Sequence, residues 1–149
     1  METAPIFYLI QEVGRAFRRR LEERTRDHDL TLPQWRIITK LGRETGMSQI
    51  ALAGALDTDP MTISGILNRL SERGLVRREP DPQDKRAKIV TLTEDGHSLY
   101  GGVEGLGVEL YKTAISGMTP DQTDALIAGL SQIRDNLSGS DADFKEDDK

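Results

Sequence analysis

Two groups of side chains between residues 48 and 92 have the types and spacing to engage a polyanion and the edges of nucleic-acid bases. The first is the run Pro60, Met61, Thr62, Ser64, Gly65, Asn68 and Arg69. Thr62 can hydrogen-bond a base edge or a phosphate, Arg69 can reach a guanine or the backbone, and Pro60 and Met61 can meet thymine methyls. The second is Arg77, Arg78, Lys85, Arg86 and Lys88, with Asp84 two residues before Arg86. A carboxylate at that distance can orient the Arg86 guanidinium through a charge-assisted bond. An arginine held on a thin ribbon suits a narrow A·T-rich minor groove, and Arg86 is the leading candidate for it. Arg77, Arg78 and Lys88 fit phosphate contacts better than base contacts. Ser48 and Gln49, at the start of a short helix, are further candidates for phosphate. For Thr62 and Arg69 alone, an ordinary solvated helix face explains the residues equally well, so the elements around them must decide.

Those elements can be read from periodicity and caps. Ile6, Ile10, Val13, Phe17 and Leu21 are spaced by four, three, four and four, a helical stripe within residues 5–27. Thr31 and Gln34 form a capping box opening a second helix with Trp35, Ile37, Ile38 and Leu41. Ser48 caps a third helix, Gln49 to Leu56. Asp59 and Pro60 suit the N-cap and first position of a fourth, which carries Ile63, Ile66, Leu67 and Leu70 as core and ends at a left-handed Gly74. Leu75 to Arg78 reads as a strand, 79–84 as a proline-punctuated turn, and Ala87 to Leu92 as the returning strand. From Thr93 a further helix carries Leu99, Val103, Leu106 and Leu110. Its glycines 101, 102, 105 and 107 each cost roughly 1 kcal/mol of helix propensity against alanine. Thr119 and Gln122 form a second capping box before Leu126, Leu130, Ile133 and Leu137.

A short helix, a tight turn and a longer amphipathic helix make a helix-turn-helix unit at about 48–73, whose second helix enters the major groove in proteins that read DNA. The predicted fold is mostly α with a two-stranded β wing at about 75–92, within a winged helix-turn-helix spanning 32–92. A net charge of −5 argues against nucleic acid until its distribution is considered. Residues 138–149 hold five acids and two lysines, and are read as an acidic, disordered tail. Residues 59–92 hold seven basic residues against five acidic ones. The cluster Arg15, Arg18, Arg19, Arg20, Arg24 and Arg26, with Glu22 and Glu23 among it, reads as a solvated helix face with local ion pairs. No cysteine is present, and His28 and His97 lack companions at metal-ligand spacing, so no metal and no cofactor are expected. The expectation from the lack of a signal-like or membrane-spanning segment is a cytoplasmic protein.

The runs Leu32-Pro-Gln-Trp-Arg-Ile, Ser48-Gln-Ile-Ala-Leu-Ala, Met61-Thr-Ile-Ser and Leu70-Ser-Glu-Arg-Gly-Leu-Val-Arg-Arg resemble the MarR family of transcriptional regulators. The wing run Asp81-Pro-Gln-Asp-Lys-Arg-Ala-Lys and the following Val90-Thr-Leu-Thr-Glu-Asp-Gly strengthen the likeness, which extends to about residue 137. The resemblance implies a homodimer joined through helices at 1–28 and 94–137, each wing lobe reading half of a pseudo-palindromic operator in double-stranded DNA. It also implies a cleft for a small aromatic or phenolic effector, with Arg15, Phe17, His28 and Trp35 as its candidate lining. Two positions depart from the family's habit: Lys85 stands where arginine is common, and Gly65 where a larger polar or basic residue is common.

Two other function classes compete. Catalysis has no support, for there is no phosphate-cradling glycine loop, paired-histidine zinc helix or nucleophile elbow. A winged helix used only for protein contact draws some support from the acidic charge, and the Arg-tipped wing argues against it. Repression is the expected output, because a small dimer offers no obvious polymerase-contacting segment.

Overall fold

The computed structural model describes residues 4–140. These divide into two compact units that meet in sequence at Leu110 and Tyr111. The first contains α1 (Ala4–Arg26), α2 (Leu32–Gly42), β1 (Met47–Ser48), α3 (Gln49–Ala55), α4 (Pro60–Glu72), β2 (Val76–Pro80), β3 (Lys88–Leu92), α5 (Glu94–Val103) and the start of α6 (Leu106–Ala114). The second contains the end of α6 and α7 (Pro120–Ser140).

The helix starts follow the local chemistry of their caps. Thr31 Oγ1 accepts from Gln34 N while Gln34 Oε1 accepts from Thr31 N, closing a capping box at 3.2 and 3.1 Å. Ser48 and Asp59 cap α3 and α4 by accepting from the amides three residues on. At the far end of α4, Gly74 takes φ +71°, and Leu75 N donates to Leu70 O while Gly74 N donates to Ser71 O. That is a Schellman ending, in which a left-handed residue satisfies the last carbonyls and turns the chain sharply.

The core of the first unit is built where these elements meet. Ile37, Ile38 and Leu41 from α2, Leu52 from α3, and Ile63, Leu67 and Leu70 from α4 are buried with Val76, Val90, Leu92 and Val103. Each such side chain contributes about 1.5–3 kcal/mol relative to full exposure. Leu67 and Leu70, with Ile63 one turn before, fasten α4 to this core along one stripe, leaving its other faces outward.

Four expectations need correction. The sheet has three strands, in the order β1-β3-β2, because Met47 and Ser48 pair antiparallel with Val90 and Ile89. A two-residue strand carries no alternation to read. Strand β2 continues through Glu79 and Pro80, opposite Ile89 and Lys88, so the turn occupies 81–87. Pro80 is tolerated because β2 is an edge strand, where a missing N–H breaks no ladder bond. The helix after Thr93 is broken between Val103 and Leu106. There the Trp35 indole N–H donates to the Val103 carbonyl at 2.9 Å, capturing an acceptor that a continuous helix would use itself. Finally, α7 runs through Ser138, Gly139 and Ser140, so the tail begins later than expected; residues 141–149 lie outside the described residues.

In the second unit, Thr119 and Gln122 form the expected capping box of α7. Leu126, Ile127, Leu130, Ile133 and Leu137 along it are exposed. In the first unit, Ile6, Phe7, Tyr8, Leu9, Ile10 and Val13 of α1 are exposed as well. Among the described residues, no helix is long and apolar enough to cross a membrane.

One close approach is decisive for the first unit. A Cβ on Gly96 would lie 2.1 Å from the Leu75 carbonyl oxygen, whereas one on Gly101 would meet nothing within 4 Å. Gly96→Ala should therefore lower stability by about 1–3 kcal/mol, as forced overpacking does. Gly101→Ala should raise it by about 0.4–1 kcal/mol. Urea unfolding of the two variants checks both signs, and an unchanged midpoint for Gly96→Ala would refute the close approach.

Candidate nucleic-acid interface

Helix α3, a four-residue bend and helix α4 form the core of the site. The bend is a second Schellman ending: Thr58 N donates to Ala53 O, and Asp57 N to Gly54 O. Asp57 occupies the left-handed position at φ +47°, which aspartate tolerates better than most residues but glycine favours. Asp59 then starts α4. One carboxylate oxygen accepts from Thr62 N at 2.9 Å and the other from the Thr62 hydroxyl. These Thr62 bonds, side chain first, hold the Asp59 carboxyl below its ordinary value.

With Ile63, Leu67 and Leu70 buried, α4 stands out as a ridge with a groove on either side. One groove, of about 270 Å³, is lined by Ser48, Gln49 and Ile50 of the α3 start, Pro60 and Ser64 of α4, and Arg78, Arg86, Ala87 and Lys88 of the wing. Residues separated by up to forty positions thus converge on one concave, basic surface. The other groove, of about 430 Å³, is lined by Thr31, Pro33 and Gln34 at the start of α2 with Thr62, Gly65, Ile66 and Arg69 of α4. Met61 lies on the ridge and is 85% exposed. The sequence-derived recognition residues therefore divide between the two grooves: Pro60 and Ser64 line one, and Thr62, Gly65 and Arg69 line the other.

In the wing, Arg86 is almost fully exposed, and its Nε donates to Asp84 Oδ1 at 3.2 Å, as the spacing led us to expect. The same oxygen accepts from the Arg86 backbone N–H at 3.1 Å, so the carboxylate fixes both the turn and the guanidinium. Lys85 and Lys88 are exposed. Arg77 points away from the helices towards Glu79, at 3.9 Å. Arg78 has a protein partner that sequence reasoning missed, the side-chain carbonyl of Asn68 on α4. Ile50 was also missed. Two positions from buried Leu52, it falls on the opposite side of α3 and is 71% exposed beside the groove. That spacing was the available signal.

The candidate effector residues are less clearly gathered. Arg15 and Phe17 lie two positions apart on α1, about 200° around a helix, with Arg15 exposed and Phe17 half-buried. His28 is half-buried in the turn after α1. Trp35 is half-buried, bonded to Val103 and packed near Gly107. On the Arg15–Arg26 face, Arg18 pairs with Glu22 and Arg20 with Glu23 along the helix, and Arg24 reaches Glu109.

Comparison with known proteins places this architecture. The family model described as MarR family matches residues 30–88, from the start of α2 into the wing. HTH-type transcriptional regulator TtmR of Methylorubrum extorquens is 35% identical over 124 residues, or 83% of this chain. Residues 30–88 of this chain, its winged-helix segment, thus match the MarR family. The match takes in 60% of TtmR, so this chain spans about three fifths of that relative. HTH-type transcriptional repressor IacR of Pseudomonas putida is 29% identical over 91% of this chain and 81% of its own length. Among solved structures, a mutant MarR from Escherichia coli complexed with operator DNA superposes with a TM-score of 0.78 and 27% identity, covering 89% of this chain and 95% of that one. The winged-helix fold of these MarR proteins is the fold of this chain.

The lowered carboxyl of Asp59 has a testable consequence for α4. A group whose value is depressed on folding adds stability above its unfolded value and loses it as pH falls through the folded one. The advantage of the wild type over Asp59→Ala should thus be complete above about pH 4 and shrink in more acid solution. Asp59→Asn, which caps without titrating, should show no such dependence. Urea midpoints measured from pH 2 to 7 decide it: a constant difference between wild type and Asp59→Ala would remove the cap from the account.

Proposed function

We propose that this chain is a DNA-binding transcriptional regulator that inserts α4 into the major groove and lays its wing along the adjacent minor groove. The observation that carries the reading is the ridge of α4 flanked by two grooves, one of them lined by Ser48, Gln49, Arg78, Arg86 and Lys88. A helix seated in a groove about 12 Å wide must leave room for a phosphate backbone on each side, and this relief does so. Pro60, Met61, Thr62, Ser64, Gly65, Asn68 and Arg69 then face the base edges or the adjoining backbone. Arg86, steadied by Asp84, is the minor-groove reader. Arg77, Lys85 and Lys88, with Ser48 and Gln49, serve phosphates. That the similar MarR from Escherichia coli was solved in complex with operator DNA supports DNA as the partner.

The exposed apolar faces of α1 and of α7 each call for a partner, since rows of this size are costly to leave in water. A second copy of the chain is the partner we propose, with residues 1–28 and 94–137 as the joining segments and 32–92 as the reading lobe. Such a homodimer would hold two α4 helices about 34–36 Å apart, one turn of DNA, on a pseudo-palindromic operator. The likeness to the repressor IacR favours repression. A small aromatic or phenolic effector near Arg15, Phe17, His28 and Trp35 would act by binding one spacing of the reading helices better than another.

Two measurements test this. In a salt series on the DNA upstream of its own gene and on random DNA, binding should be specific and steeply salt-dependent, the logarithmic slope growing by about 0.9 for each phosphate neutralised. Arg86→Ala should lose about 1–3 kcal/mol of specific binding while keeping its fold. Binding that ignores salt would point instead to a protein-contact role. In sedimentation velocity the wild type should run as a dimer, and Val13→Asp as a monomer. A Val13→Asp variant that stays dimeric would take α1 out of the interface.

A further inference from the structure

Successive side chains of a strand alternate between faces, so Arg78 shares the face of β2 on which Val76 enters the core. Arg78 therefore faces α4, and its Nη2 donates to Asn68 Oδ1. Asn68 is exposed and lies seven, four and three positions after Met61, Ser64 and Gly65, on the same outward side of the helix.

A guanidinium has five donors and no acceptor. Its partnership with Asn68 consequently fixes which way the amide faces: the carbonyl oxygen turns to Arg78, and the Nδ2 group, with its two hydrogens, turns to the ridge. This matters for reading bases. An asparagine free to present both groups side by side suits adenine, accepting from N6 and donating to N7. An asparagine whose oxygen is held aside offers the groove donors alone. Beside it on α4, Ser64 and Arg69 also carry side-chain donors. Pro60 has no N–H, the Thr62 hydroxyl donates to Asp59, and Gly65 has no side chain.

We propose that Arg78 is a specificity-determining positioning residue: by holding the Asn68 carbonyl it makes Asn68 a donor-only reader, which selects guanine, with acceptors at O6 and N7, over adenine. The inference rests on the DNA-reading function above and deepens it. It also gives Arg78 a role distinct from the phosphate contacts of its neighbours, because it acts on sequence preference and not only on affinity.

The test is selection of binding sites from a randomised DNA pool by the full chain as wild type, Asn68→Ala, Arg78→Met and Arg78→Lys. Asn68→Ala identifies the base pair that Asn68 reads, as the position at which preference flattens. At that pair the wild type should favour guanine. Arg78→Met should shift the guanine-to-adenine ratio towards adenine on the order of tenfold, within the range one bidentate contact can discriminate. Arg78→Lys, which also only donates, should keep the wild-type preference. A second measurement needs no DNA: the Asn68 side-chain amide resonances of the free protein should move in Arg78→Met and stay near their places in Arg78→Lys. An Arg78→Met variant that binds all sites more weakly with unchanged base preference would reduce Arg78 to a phosphate contact and overturn the proposal. So would an Asn68→Ala variant that flattens no position. A wild type that enriches no sequence would instead remove the DNA-reading function itself, and this inference with it.

Discussion

The short segment Gly74–Leu75 is the joint on which the first unit is assembled. Leu75 N closes the end of α4 on Leu70, and Leu75 O accepts from Thr93 N. The Thr93 hydroxyl donates to Gly74 O and accepts from Gly96 N, so the residue that leaves the wing is also the cap of α5. Gly96 is packed directly against the Leu75 carbonyl. One knot of backbone bonds therefore fixes the exit of the recognition helix, both roots of the wing and the entry to α5. None of these can tilt without breaking polar contacts at the others, and an unpaired polar group in such a place costs about 1–3 kcal/mol.

The outward chemistry inherits this rigidity. The wing roots set where β2 and β3 run, strand alternation turns Arg78 inward to Asn68 and Arg77 outward, and the short turn at 81–87 carries Arg86 to the tip. Arg78, Arg86 and Lys88 thereby line one groove of a chain whose total charge is −5. Local placement, not sum, determines what the surface attracts.

Most of the fold was legible because its punctuation is local. The capping residues Thr31, Ser48, Asp59, Thr93 and Thr119 and the left-handed Gly74 each act within a few residues of themselves, and all five caps are made as their sequence context predicts. The Asp84–Arg86 pair was legible for the same reason. What escaped depends on contacts across long separations. Strand β1 exists only because β3 lies beside it, and at the break before Leu106 the Val103 carbonyl is taken by Trp35, sixty-eight residues earlier in the chain. The Arg78–Asn68 bond joins residues ten apart, on a strand and a helix, a distance at which periodicity says nothing. Of the candidate site, the residues could be nominated in advance, but not their division between two grooves or the engagement of Arg78 by Asn68.

Trp35 is the only tryptophan in the chain. Its ring rests against Gly107 and its N–H is spent on the carbonyl where α5 gives way to α6. Indole emission from this protein is therefore a single-site optical signal. It originates where α5 gives way to α6, and any change in the bend at that point must alter the polarity around the one indole positioned to report it.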